Sequence, residues 1–209
     1  MAHGRITKDR FSLPYGKQTA VELIHTAIVA EIEYRRRVPV ITQDLLDIEN
    51  AIADWLVGNG KMSLLLMGNV GDGKTTALLA IRNLVSVAEI EKPYQDNRYS
   101  HSYECRYINA RSLAEAYASD KAKADVYFNA DIVALDDVGA EPAEILTYGN
   151  PTNAVADLLF YRYEKMLPTI ITTNLKPTEF RPRYGDRIAD RMNETFDKIV
   201  FPEKSYRTI

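Results

Sequence analysis

Cysteine is almost missing from this chain of 209 residues, and Cys105 stands alone. An internal disulfide is therefore excluded, and no thiolate cluster exists to hold a structural zinc. His3, His25 and His101 are too scattered along the chain to suggest a metal site. No apolar run approaches the ~20 residues that a bilayer span needs. The opening stretch MAHGRITKDRFSLPYGK also lacks the continuous apolar core of a signal peptide. The expectation is a reduced, cytoplasmic protein. An excess of positive charge is absent too, with 26 Lys and Arg against 29 Asp and Glu and a net charge of -3. Any contact with nucleic acid must then come from a local patch rather than a globally basic surface.

What is present is ordinary globular composition, 46% hydrophobic and 26% charged. That suffices for one full core and a small appendage. Residues 1–17 mix Gly, Pro and charges without period and read as an arm. Val21, Ile24, Ile28 and Ile32 recur at helical spacing, which predicts a helix from Gln18 to Arg37. A second helix is expected from about Thr42 to Val57, with Gly58 as its C-cap. Residues 1–59 thus form an arm and a two-helix extension, and residues 60–209 the main domain.

From Gly60 onward, strands and helices alternate. MSLLLM reads as a buried parallel strand, followed by a helix from Lys74 to about Glu89. CRYINA, DIVALDD, TIITTN and KIVF read as further strands. RSLAEAYAS, NAVADLLFYRYEKM and DRIADRMNETF read as the helices between them. Repeated strand–helix units imply an α/β fold of three layers, with a parallel sheet and right-handed crossovers.

Gly68-Asn69-Val70-Gly71-Asp72-Gly73-Lys74-Thr75, followed by Thr76, fits G-x-x-x-x-G-K-[ST] between a buried strand and a helix. Glycines let successive backbone N–H groups turn inward onto phosphate oxygens, and the helix adds the positive end of its dipole. Lys74 would reach the β- and γ-phosphates, and the Thr75 hydroxyl would ligate Mg²⁺. Asp136 and Asp137 end an apolar strand, where ligands collect in parallel α/β sheets. Asp136 would hold Mg²⁺ through water, and Asp137 would orient or deprotonate the attacking water. Asn174 ends another buried strand, placed to hydrogen-bond the attacking water or the γ-phosphate. Arg181, Arg183, Arg187 and Arg191 follow. Arg187 and Arg191 share a helical face, either solvated and paired with Asp186, Asp190 and Glu194, or reaching the γ-phosphate of a neighbouring subunit.

In this order, GNVGDGKTTALLAI, INARSLAEAY, IVALDDVGAEP, YRYEKMLPTIITTNL, YGDRIADRM and SYR resemble the AAA+ ATPases. Within them the similarity is to the DnaC/IstB group of helicase loaders and transposition helper ATPases, over about residues 60–209. The resemblance implies Walker A at Gly68 to Thr75, Walker B at Asp136 and Asp137, and sensor 1 at Asn174. It further implies a trans-acting arginine finger at Arg187 and a cis-acting sensor-2 arginine at Arg207. The chain ends directly after SYR, without the helical lid of most AAA+ proteins, and its part before the P-loop is short for a helicase-docking domain.

The function so implied is an ATP- and Mg²⁺-dependent DNA replication factor of helicase-loader type. It would act as a ring or spiral on single-stranded DNA and a replicative helicase. An IstB-like ATPase serving a transposase is the alternative. A P-loop small-molecule kinase and a non-hydrolysing ATP switch fit less well. Arg98, Tyr99, Tyr103 and Arg106, with His101 and Tyr107, interleave cations and aromatics as single-strand binders do. Lys121 and Lys123 are a weaker candidate. The Arg35-Arg36-Arg37 cluster reads as cations at a helix C-terminus.

Overall fold

Strand and helix formation follow the apolar periodicity closely enough to build the molecule from it. The computed structural model describes residues 10–92, 102–147 and 150–202. Helices α1 (Lys17–Tyr34) and α2 (Gln43–Leu56) precede strand β1 (Ser63–Met67) and helix α3 (Lys74–Val87). Strand β2 (Cys105–Asn109), helices α4 (Ala110–Ser119) and α5 (Lys121–Phe128), and strand β3 (Ile132–Val138) come next. A hairpin of β4 (Ile145–Thr147) and β5 (Asn150–Thr152) leads to helix α6 (Ala154–Glu164) and strand β6 (Thr169–Thr173). Helices α7 (Pro177–Tyr184) and α8 (Asp186–Thr195) and strand β7 (Phe196–Val200) complete the described order.

Five strands form one parallel sheet in the order β2-β3-β6-β1-β7. Alternate residues of each strand face opposite layers because the pleat has a period of two. Leu64 and Leu66 of β1, Ile132 and Ala134 of β3, and Ile170 of β6 join α1, α2 and α3 in one core. Leu65 and Met67, Val133 and Leu135, and Ile171 join α4, α6 and α8 in the other. This is the three-layer α/β arrangement that the alternation of elements implies. No helix among the described residues is long and apolar enough to cross a membrane.

Three features depart from the sequence expectation. The first helix stops at Tyr34 rather than Arg37. Helices α5 and α7 and the β4–β5 hairpin were not expected at all. The apolar residues of KAKADVYF gather on no one face, and PTEFRPRY carries prolines at its start and inside, the composition of a loop. Between α1 and α2, the buried Glu49 carboxylate meets His25 Nδ1 at 3.0 Å through both oxygens. Burial pushes the Glu49 pKa up, and the His25 hydrogen bond opposes that shift.

Arg162 of α6 fastens the end of the sheet where β3 and β6 begin. Its side chain is 1% exposed and donates to the carbonyls of Tyr127, Phe128, Ala130, Asp131 and Pro168 and to the Thr169 hydroxyl, at 2.6–3.3 Å. Two of these carbonyls end α5, where a cation is favoured and acceptors lack helical partners. Burial pulls the Arg162 pKa down to about 9, which leaves it charged at neutral pH. Replacing Arg162 by Met strands those acceptors. Chemical denaturation of Arg162→Met should show a loss of about 3–5 kcal/mol. Arg162→Lys should recover only part of it, because one ammonium cannot span the same fan of acceptors.

Candidate active site

The carboxyl ends of β1, β3 and β6 lie side by side, and the candidate residues gather there. After Met67 the chain turns through residues 68–73 into α3, whose first residue is Lys74. Gly73 caps that helix at φ 100°, and Gly68 sits at φ 157°. A Cβ on Gly68 would collide with the Asp72 carboxylate and come within 3.0 Å of Phe201. Both conformations are open to glycine and costly for other residues. Lys74 and Asp72 are buried. The Lys74 ammonium donates to the Asn69 carbonyl at 2.6 Å and to the two Asp72 oxygens at 2.8 and 3.0 Å.

Asp136 is the point of convergence. Its Oδ1 accepts the Thr75 hydroxyl at 3.1 Å and the Thr172 hydroxyl at 2.5 Å, and its Oδ2 accepts the Tyr107 hydroxyl at 3.1 Å. Burial and the Asp136 charge push the Tyr107 pKa up to about 12, so the phenol remains a donor at neutral pH. The Thr75 hydroxyl and the Asp136 carboxylate offer hard oxygen donors suited to Mg²⁺, an ion that keeps most of its waters.

Asp137 turns away from this cluster toward solvent. Its φ of 54° is left-handed, and the β3–β6 register shifts between Leu135 and Val138. An extra residue in a strand re-aims the side chain that it carries. The Asp137 N–H donates to the Thr172 hydroxyl at 2.8 Å, so one hydroxyl fixes both acidic residues. The Thr173 hydroxyl donates to the Val138 carbonyl at 2.6 Å, and the Gly68 N–H reaches the Thr173 carbonyl at 3.3 Å. Because Met67 pairs with Thr173, the exposed Asn174 stands directly beside the start of the phosphate loop.

Arg187 and Arg191 share a face of α8, both lying over Phe160, but Asp186 and Asp190 pair elsewhere. Arg181, not Arg187 or Arg191, takes Asp186 and Asp190, each at 2.6 Å. The Arg187 guanidinium lies 4.1 Å over the Phe160 ring, and that of Arg191 lies 3.9 Å over Tyr163 with an ion pair to Glu164. Both therefore rest on α6. Arg183 and Tyr184 hold the buried Glu141, whose other oxygen accepts the Gly139 N–H at 2.8 Å. This joins the turn after Asp137 to the arginine-bearing segment. Arg35 stands at the C-cap of α1, the helix end where the sequence places it. Its side chain donates to the Thr76 hydroxyl at 2.9 Å, because the end of α1 lies beside the start of α3.

The nucleic-acid candidates fare unevenly. Arg98, Tyr99 and His101, like Arg207, lie outside the described residues. Tyr103 packs edge-on against Phe11 at 5.1 Å, so it joins the core rather than presenting a stacking face. Arg106 pairs with Glu104 at 2.9 Å, and Tyr107 serves Asp136. The roles of Thr172 and Tyr107 escape a reading of the sequence, since both depend on strand register. The one available signal for Thr172 was a polar side chain inside a strand buried throughout.

No family model and no curated protein match the chain. Solved structures do. DnaI aligns with a TM-score of 0.54 at 21% identity, covering 71% of this chain and 74% of that one. A putative primosome component from Streptococcus pyogenes serotype M3 aligns at 0.52 and 18% identity, covering 94% and 86%. The DnaC helicase loader aligns at 0.50 and 19% identity, covering 67% and 78%. Identities of this size speak to the fold alone. The chain shares its three-layer α/β fold with DnaC and DnaI.

Proposed function

We propose that the chain binds and hydrolyses ATP as a DNA replication factor of helicase-loader type, oligomeric on single-stranded DNA and acting on a replicative helicase in the cytoplasm. Residues 60–209 would be the ATPase domain and residues 1–59 its extension. The observation that carries the reading is the meeting of Lys74, Thr75 and Asp136 at the carboxyl ends of neighbouring strands, with Asp137 and Asn174 beside them. The fold shared with the DnaC helicase loader supports the replication role.

In this reading the backbone N–H groups of residues 68–76 and the Lys74 ammonium grip the phosphates. Thr75 and Asp136 would hold Mg²⁺, which would supply neutralisation of phosphate charge. Asp137 accepts the proton of the attacking water, and the Asn174 amide orients that water. Arg187 extends to the γ-phosphate of a neighbouring subunit, and Arg207 reaches the nucleotide of its own chain. Arg98, Tyr99, Tyr103 and Arg106 would then touch DNA only if Tyr103 and Arg106 leave their present partners.

ATP turnover with and without single-stranded DNA, measured beside oligomer size, tests the whole reading. DNA-stimulated turnover by an oligomer is expected, and a monomer indifferent to DNA would overturn it. For the interface, Arg187→Ala protein should regain activity when mixed with Lys74→Ala protein, since some interfaces then pair two intact halves. No recovery with assembly intact counts against a trans finger. Thr172→Val should lower turnover about 10–100-fold by freeing both acidic residues, whereas Thr172→Ser should stay near wild type in the same assay.

A further inference from the structure

The phosphate loop carries a carboxylate where its chemistry calls for an anion from outside. Asp72 is 3% exposed. Its Oδ1 accepts both the Lys74 ammonium at 2.8 Å and the Lys74 backbone N–H at 3.3 Å. Its Oδ2 takes the same ammonium at 3.0 Å. Those donors, at the positive end of α3, are the ones a phosphate oxygen would use. The carboxylate also overhangs Gly68, and the missing side chain there makes the room.

We infer that Asp72 is an internal competitor for phosphate, held on Lys74 when the loop is empty and turned out when nucleotide binds. The inference rests on the reading of this loop as the ATP site. A carboxylate and a phosphate cannot share the same donors, because like charges at contact distance in a partly desolvated site repel strongly. Paired with Asp72, Lys74 is spared the cost of a buried, unpaired charge. In the competition, affinity falls by the fraction of chains in which the carboxylate has left. A small anion with few contacts gains too little to displace it. A nucleotide that brings several phosphates, its own cation and a base can do so. The cost of displacement is the same for each, so the residue raises the concentration at which any phosphate compound occupies the loop.

The test is calorimetric binding of Mg²⁺-ATP, Mg²⁺-ADP and inorganic phosphate to the full chain. Wild type is compared with Asp72→Asn, which keeps the shape without the charge, and with Asp72→Thr, which shortens the side chain. Circular dichroism confirms the fold of each, so that either variant suffices if the other misfolds. Both should bind nucleotide about tenfold more tightly than wild type, and inorganic phosphate should gain by the same factor. Wild-type or weaker affinity in a folded variant overturns the inference while leaving the ATP site standing. Absence of nucleotide binding by wild type and variants alike overturns both.

Discussion

One carboxylate organises the working end of this molecule. Asp136 receives hydroxyls from Thr75, Thr172 and Tyr107, which belong to α3, β6 and β2. A buried charge is tolerable only when its hydrogen-bonding capacity is filled. Three separate elements must therefore arrive in register for Asp136 to be stable where it is. The same requirement places Lys74 and Thr75 beside β3 and leaves Asp137 facing outward. The geometry of the site and its local stability depend on the same hydrogen bonds.

The site is linked in two directions. Toward the N-terminal helices, Arg35 holds the hydroxyl of Thr76 in the first turn of α3. Toward α7 and α8, Glu141 ties the turn after Asp137 to Arg183 and Tyr184, just before the helix that carries Arg187. Burial and the adjacent Glu141 raise the Tyr184 pKa, which keeps that phenol protonated as a donor. These contacts join the turn after the acidic pair to the residues that end α7.

Much of this was legible in the residues, for identifiable reasons. The G-x-x-x-x-G-K-[ST] stretch is contiguous, so its spacing survives without knowledge of the fold. The acidic pair and Asn174 close apolar strands, and parallel sheets send ligands to strand ends. Thr172, Tyr107 and Glu141 were not legible, because each acts on a residue 29–43 positions away in sequence. Only strand register and packing bring them together. Arg162 lies in a helical stretch among tyrosines with no sequence signal of burial, although its guanidinium is enclosed by carbonyls. Helices α5 and α7 lack the periodicity or the proline-free composition that marks a helix. The contact of Tyr103 with Phe11, far away in sequence, was likewise not legible.

The two ends of the sheet are fastened by unlike means. Where β3 and β6 begin, Arg162 gathers carbonyls into a cage that no ligand has reason to enter. Where they end, hydroxyls and a carboxylate meet, groups that readily exchange one oxygen partner for another. The sheet is thus clamped at its foot and adjustable at its tips. A seven-residue strand such as β3 is about 20 Å long. A tilt of about one degree at the foot therefore displaces the tip by roughly 0.35 Å, comparable to the slack in a hydrogen bond. Leverage of that kind lets rigid strands translate small rotations into the making or breaking of single contacts.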